Sequence, residues 1–413
     1  MRRRSSSLAV LVAVAATITL GLSAVGAASA APSDGAHLVS GAPEFVREAV
    51  EFNDIMYLVG TSESEEGLGL WSYDGATFSE VPGVPADPYN LVVAEDAIYF
   101  YTSHDDGTSA IGSFNGTVFA EYAVESVSGI TAVPGGGIAF AGGPGATYGL
   151  TFLKGGVFTQ AVGGPNPISS IGFANGNLFV AGGGMDSRRV YRYADSVFTE
   201  VAGDYTYPGY VRGIGANLYF PATGGLFQVN PEGTSATFVE GSFSPIYSPV
   251  TEFQGHVYFT GPAPVAAIVL FEIVDGVAVA VEGAPNFSQS AEGVGDSLYI
   301  AANPEGMSIG KGPELFVYDG TTFSPVPSVA RYPGGFFEFR GADYFIAQVE
   351  GRTSTLGSWP SLFRVGLEPT PVAAEPALAA TGVDASAPLA LAALLLLAGG
   401  AAVGIRRRTR AEV

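Results

Sequence analysis

The stretch that decides the fold reads Asn90-Leu-Val-Val-Ala94, Ile98-Tyr-Phe-Tyr-Thr102, Ala110-Ile-Gly-Ser-Phe114 and Val118-Phe-Ala-Glu-Tyr-Ala123. Each run is short and rich in β-branched and aromatic residues, which suit a pleated, half-buried surface. Glu95-Asp96 and Asn115-Gly116 separate the first pair and the last pair. Such residues close tight hairpins because they tolerate positive φ. The spacing therefore predicts four antiparallel strands within about forty residues.

Working outward, the second of these runs recurs along the chain as Ile55-Met56-Tyr57-Leu58, Ile138-Ala139-Phe140, Leu178-Phe179-Val180 and Leu218-Tyr219-Phe220. It continues as Val257-Tyr258-Phe259, Leu298-Tyr299-Ile300 and Asp343-Tyr344-Phe345. Successive central positions lie 42, 40, 40, 40, 39, 41 and 45 residues apart. A second signature follows, as in Tyr73-Asp74-Gly75-Ala76-Thr77-Phe78 and Tyr318-Asp319-Gly320-Thr321-Thr322-Phe323, with weaker copies ending in Phe158, Phe198, Phe238 and Val279. No segment between 37 and 366 carries the 3.6-residue period of an amphipathic helix. Four strands per unit, repeated at this period, predict an all-β fold: a β-propeller of eight four-stranded blades, with seven as the alternative. A string of small β-sandwiches is a third arrangement, and it would need clearer linkers. The last unit lacks its outer strand, so Pro43–Val50 is expected to supply it and close the ring, which removes exposed sheet edges.

Composition narrows function by exclusion. The 413 residues contain no cysteine and three histidines, His37, His104 and His256. Disulfides, zinc ribbons and thiol catalysis are excluded; no metal site, cofactor or catalytic residue is assigned. Eighteen basic residues face 39 acidic ones, which argues against nucleic acid, since neutralising phosphates needs Lys and Arg. Gly306-Met307-Ser308-Ile309-Gly310 matches the nucleophile-elbow pattern. With 57 glycines and 34 serines, however, roughly 0.6 matches arise by chance, and no helix is expected after it. Glu63, Glu65 and Glu66, and the stretch His104-Asp105-Asp106-Gly107, lack the alternating spacing of calcium loops and read as solvated hairpin tips.

Both ends read as addresses. Arg2-Arg3-Arg4, an apolar run from Leu8 to about Leu22, and Ala28-Ser29-Ala30 have the three-part form of a secretory signal peptide over residues 1–30. At the other end, Leu378-Ala379-Ala380-Thr381-Gly382 precedes an apolar stretch over 388–405 and then Arg406-Arg407-Arg408-Thr409-Arg410. Eighteen residues at 1.5 Å each approach the ~30 Å hydrocarbon core, so a transmembrane helix is expected there, with its arginines on the cytoplasmic side. Residues 378–413 resemble the LPXTG-type cell-wall sorting signal of Gram-positive surface proteins, in the variant with Ala379 at the usual proline position. The resemblance implies cleavage by sortase between Thr381 and Gly382 and covalent transfer of Thr381 to peptidoglycan. The protein would then be extracellular, on the cell-wall surface, made from a membrane-anchored precursor.

Without the two ends, residues 31–381 keep 11 basic residues (18 − 7) and 37 acidic ones (39 − 2), a net charge of −26. Residues 367–377 contain three prolines and read as a stiff spacer of about 35 Å at ~3.1 Å per residue. Residues 31–366 are the propeller, expected to be monomeric. Glu314-Leu-Phe-Val-Tyr-Asp-Gly-Thr321 is similar to an extracellular repeat class of the form Glu-Leu-Trp/Phe-x-x-Asp-Gly-Thr; this resemblance implies fold only.

In a propeller the inter-blade connections share one face with the hairpins between second and third strands. Here those connections hold proline and aromatic residues: Asp87-Pro88-Tyr89, Tyr205-Thr206-Tyr207-Pro208-Gly209-Tyr210, Pro245-Ile246-Tyr247, Pro285-Asn286-Phe287 and Tyr332-Pro333. Loops on a rigid scaffold are where function concentrates. Tyr89, Tyr205, Tyr207, Tyr210, Tyr247, Phe287 and Tyr332 are therefore candidate ligand-binding residues, for a glycan or a protein. The binding reading requires Tyr205, Tyr207 and Tyr210 to be exposed. One alternative is a carbohydrate-active hydrolase or lyase using channel carboxylates; another is a wall-structural protein whose aromatic rings only cover the blades.

Overall fold

The computed structural model describes residues 35–61, 67–104, 108–144, 149–184, 187–263, 267–303, 312–349 and 360–366. Eight antiparallel four-stranded sheets form the eight blades of a β-propeller. Within blade 1 the strands run outward in chain order: Glu44–Phe52, Ile55–Thr61, Gly69–Tyr73 and Phe78–Glu80. Blades 2 to 7 repeat this over 89–124, 126–160, 168–200, 212–238, 251–280 and 288–325. Blade 8 takes three strands from the end of the domain, Ala330–Phe339, Ala342–Val349 and Pro360–Val365. Its outermost strand comes from the start, Ala36–Leu38.

Ring closure by an N-terminal strand is thus correct, but the assignment of that strand to Pro43–Val50 is not. Ala36 pairs with Val365, His37 with Arg364 and Leu38 with Phe363. Val39 N–H also donates to Leu362 O at 2.9 Å, and Gly366 N–H to Gly35 O at 2.8 Å. The segment after Pro43 is instead the innermost strand of blade 1. Phe52 pairs with Ile55 across Asn53-Asp54, whose φ values of 53° and 59° make a two-residue hairpin. Such a turn forces the preceding strand onto the following one, so it cannot serve the other end of the ring. A three-residue closing strand has too little pattern to be seen in sequence.

The second strand of each blade lies between neighbouring blades on both faces, which is why it reads as an unbroken apolar run rather than an alternating one. Leu58, Phe100, Phe140, Val180, Phe220, Phe259, Ile300 and Phe345 occupy one equivalent position and are all fully buried. Burying each is worth roughly 1.5–3 kcal/mol. In three blades this residue stacks on its directly opposed partner: Phe220 on Phe227, Phe259 on Phe271 and Phe345 on Phe363, with centroids 5.6, 5.2 and 5.2 Å apart. In blade 2 the opposed residue is Gly112, where a Cβ would come within 2.3 Å of the Phe100 ring. Outer strands such as Val157–Gln160 and Val197–Glu200 are largely exposed because radial blades diverge outward.

The innermost strands have no neighbour toward the axis, so their free N–H groups need other acceptors. Side chains of the preceding blade provide them. Leu91 N–H donates to Glu48 Oε2 at 2.8 Å and Val211 N–H to Ser170 Oγ at 2.9 Å. Gly293 N–H donates to Thr251 Oγ1 at 2.9 Å and Phe336 N–H to Glu292 Oε2 at 3.2 Å. These bonds staple successive blades around the channel.

The signal segment, the spacer, the sorting motif Leu378–Gly382 and the 388–405 stretch lie outside the described residues. So do Glu63, Glu65, Glu66, Asp105, Asp106 and Ser308. Among the described residues no helix is long and apolar enough to cross a membrane.

Candidate functional site

Antiparallel alternation gives the ring two faces. One carries the hairpins between first and second and between third and fourth strands. The other carries the second-to-third hairpins and the inter-blade connections.

On the turn face the backbone is satisfied locally. Asp319 Oδ1 accepts from Thr321 N and Thr322 N, both at 2.8 Å, and the Thr321 hydroxyl adds a bond at 2.7 Å. These N–H donors hold its carboxyl down at about 2. Asp74 repeats the arrangement with Ala76 N and Thr77 N, and Asn115 with Thr117 N and Val118 N. Short polar side chains make such turns without help from the rest of the fold.

The loop face has another recurring element. Phe45, Asp87, Tyr207, Phe287 and Tyr332 all have φ between 52° and 56°. Each lies eight residues ahead of its blade's first hairpin turn, at Asn53, Glu95, Gly215, Gly295 and Arg340 respectively. Each precedes a buried residue: Val46, Pro88, Pro208, Ser288 or Pro333. The left-handed residue thus turns the chain into the new blade. Four of the five are aromatic, although a left-handed conformation costs a residue with a Cβ about 1–2 kcal/mol. Register shifts beside this rim, between Glu44 and Glu48, Tyr89 and Val92, and Ser288 and Ser290 among others, mark β-bulges, which gather at rims and sites.

The candidate aromatic residues separate into classes. Tyr207, Tyr332, Tyr247 and Tyr210 are 55, 54, 49 and 37% exposed. Tyr332 covers Gly312, where a Cβ would meet its ring at 2.4 Å. Tyr210 donates its hydroxyl to Ser248 O at 2.9 Å, bridging to blade 6. Tyr89 and Phe287 are half-buried, with Tyr89 edge-on to Tyr101 at 4.4 Å and Arg47 over its ring at 5.4 Å. Tyr205 corrects the sequence reading: it is 2% exposed. Its hydroxyl donates to Val201 O at 2.6 Å, and its ring meets Phe220 and Phe227 at 4.9 and 5.7 Å. Burial pushes its phenol up to about 12. It anchors the connection from beneath. Being on five different connections, the candidates are distributed around the face.

This face carries clefts as well as exposed rings. Between blades 4 and 5 a cleft of about 450 Å³ is lined by Pro165, Arg188, Arg189, Tyr191, Tyr205 and Tyr207, with Gly183, Ser187, Glu200 and Thr206. Arg189 forms its floor, donating to Tyr205 O at 2.6 Å, lying 3.5 Å from Glu200 and 5.2 Å over the Tyr205 ring. Arg188 Nε is buried with no hydrogen-bond partner. Leaving such a donor unpaired costs about 1–3 kcal/mol. Sequence reasoning missed Arg188 and Arg189. The available signal was two adjacent arginines where only 11 basic residues serve 351 positions.

At the channel, Glu292 is held above the ordinary carboxyl range, chiefly by burial, while the Phe336 N–H and the Arg212 guanidinium pull it back. Among the described residues no group of three or more His, Asp or Glu is placed to hold a metal ion.

No protein-family model matches the chain, and no curated protein matches it. Solved structures do. The computationally designed Ika8 protein is similar over 81% of this chain and 100% of its own, at 10% identity and a TM-score of 0.54. The β-propeller domain of the Trilobed protease from Pyrococcus furiosus aligns over 69% of this chain and 98% of its own, at 10% identity and a TM-score of 0.46. A prolyl endopeptidase studied for inter-domain dynamics aligns over 75% of this chain, at 13% identity and a TM-score of 0.47. The match spans 55% of that enzyme's length. At these identities the likeness concerns the fold alone: the chain is an all-β, eight-bladed propeller of four-stranded blades.

Proposed function

We propose that this protein is a secreted, sortase-anchored cell-wall surface protein whose propeller is a recognition scaffold for a glycan or protein ligand. The observation that carries the binding reading is the retention of aromatic residues at strained, solvent-facing positions of the loop face. Residues in sparsely populated backbone regions gather at functional sites. Exposed tyrosine rings offer stacking area with a polar tip, suited to sugars and to protein interfaces alike. The anchoring reading is carried by the order of motif, apolar stretch and basic tail at the C-terminus.

The test is capture of cell-wall fragments and arrayed glycans by the full chain, beside a Tyr207→Ala, Tyr247→Ala, Tyr332→Ala triple variant. Loss of capture by a folded triple variant supports a recognition face; undiminished capture removes it. Anchoring is tested by Thr381→Ala, which should move the protein from the covalently bound wall fraction to the membrane and medium. Glu292, half-buried and with its carboxyl raised, favours a second reading as a hydrolase acid at the channel. That reading requires glycan cleavage by the wild type that disappears in Glu292→Gln.

A further inference from the structure

We infer that the cleft between blades 4 and 5 binds a sugar carrying a single carboxylate. Arg188 is the anion receptor and the Tyr207 ring the stacking wall. The inference rests on the recognition reading of the loop face and narrows it to one ligand class.

The argument begins with charge. Arg189 is already committed to Glu200, to the carbonyls of Gly203 and Tyr205, and to the Tyr205 ring. The Glu200 carboxylate offsets its charge, whereas among the described residues no carboxylate pairs with Arg188, the other cation of the lining. Two other arginines also have a buried Nε without a partner, but each is otherwise engaged: Arg192 donates to Glu232 O, and Arg364 lies over the Tyr344 ring. Among the described residues the Arg188 guanidinium has no hydrogen bond, ion pair or ring contact. A buried cationic donor of this kind calls for an acceptor, and a guanidinium edge matches the two oxygens of a planar carboxylate.

One net positive charge suits one carboxylate better than a phosphate, which carries about −1.5 to −2 at neutral pH. Residues 31–381, at −26, repel multivalent anions in general, so a lone arginine cleft selects small or singly charged ones. The rest of the lining fits a sugar. The half-exposed Tyr207 ring and Tyr191 provide apolar faces, and the Ser187 and Thr206 hydroxyls can exchange hydrogen bonds with ring substituents. A volume of about 450 Å³ lies within the range of small-ligand sites. The equivalent cleft between blades 7 and 8 measures about 170 Å³; Glu314 and Arg331 join Leu315, Pro325, Val326 and Pro327 in its lining, and it has no aromatic ring. The larger cleft is therefore an elaboration of one position rather than a by-product of blade geometry.

The experiment is calorimetric titration of the full chain in mild detergent. The probes are methyl glycosides of glucuronate, galacturonate and N-acetylneuraminate, each beside its neutral counterpart. Inorganic phosphate and a short peptide with a free C-terminal carboxylate are the controls. At least one acidic glycoside should bind at least tenfold more tightly than its neutral counterpart. Arg188→Gln should abolish that preference, and the surface variant Tyr207→Ala should weaken the same glycoside without altering the melting temperature. Binding of none of the acidic sugars, stronger binding of phosphate or of the peptide, or an unchanged preference in both variants overturns the inference. If acidic sugars fail while the triple tyrosine variant still loses capture, this inference falls and the recognition reading stands. If the triple variant loses nothing, the recognition reading falls too.

Discussion

The two faces of the ring make the same backbone demand and meet it with different residues. On the turn face, left-handed positions are held mostly by glycine or by Asn53, Asp54, Asn175, Asp195 and Asp275. Those types visit that region at little cost. On the loop face the recurring left-handed position holds Phe45, Tyr207, Phe287 and Tyr332, and an aspartate, Asp87, only in blade 2 among the five. The difference teaches where conformational cost is accepted. A turn that only reverses the chain uses the residues best suited to reversing it. A turn that also displays a side chain keeps the side chain and carries the strain.

The faces also differ in what holds them, and the largest expected effect tests this. The 205–210 connection depends on a buried ring from beneath, so Tyr205→Ala should cost about 3–5 kcal/mol in denaturant unfolding. Tyr205→Phe, losing the bond to Val201 O and the acceptor of the Val190 N–H, should cost about 1–2 kcal/mol. A loss below 1 kcal/mol for Tyr205→Ala would mean the loop face is as locally determined as the turn face. At the turn face, Asp319→Ala removes acceptors for two backbone N–H groups in an exposed hairpin and should cost about 1 kcal/mol by the same measurement.

Acid titration sharpens the comparison within the turn face itself. Asp319 is held down at about 2, so its contribution is present above the ordinary aspartate value and is lost as pH falls through that range. The deficit of Asp319→Ala should accordingly shrink toward pH 2. Asp343 behaves oppositely. It accepts the Tyr299 hydroxyl at 2.5 Å across blades 7 and 8, and burial raises its carboxyl, with Glu338 and Asp296 adding to the rise. Its contribution is complete at low pH and fades as pH rises through the raised value. Wild type should lose stability relative to Asp343→Asn as pH is raised from about 4 toward neutrality. Parallel curves would contradict this. The smallest effect is at Tyr207→Gly, which relieves strain at an exposed ring and should change stability by no more than about 1 kcal/mol, toward greater stability. A marked destabilisation would show that Tyr207 supports the fold rather than the surface.

How much of this was legible varies with the residue. The forty-residue period was visible because Tyr57, Tyr99 and their equivalents are buried on both sides, so each recurrence kept its apolar signature. Ring closure was visible as a missing strand, but Ala36–Leu38 was not. Three residues carry no period, and the apolar segment that follows them looked a better candidate. In the 205–210 connection three tyrosines read alike. Which one turns inward depends on Phe220 and Phe227, which lie in blade 5's central strands. The arginine cleft was invisible because Pro165, Arg188, Glu200 and Tyr207 meet only after blade 4 and the connections on either side of it have packed.

Local information in the sequence was therefore enough for the repeat and the hairpin turns of the turn face. Each of these depends on neighbours within a few residues or on burial common to every copy. The eighth blade's completion, the inward Tyr205, the carboxylates stapled to the next blade and the unpartnered Arg188 were decided by tertiary structure. Each depends on which atoms from distant segments fill the space beside it, and a repeat that specifies the blade leaves that choice to packing between blades.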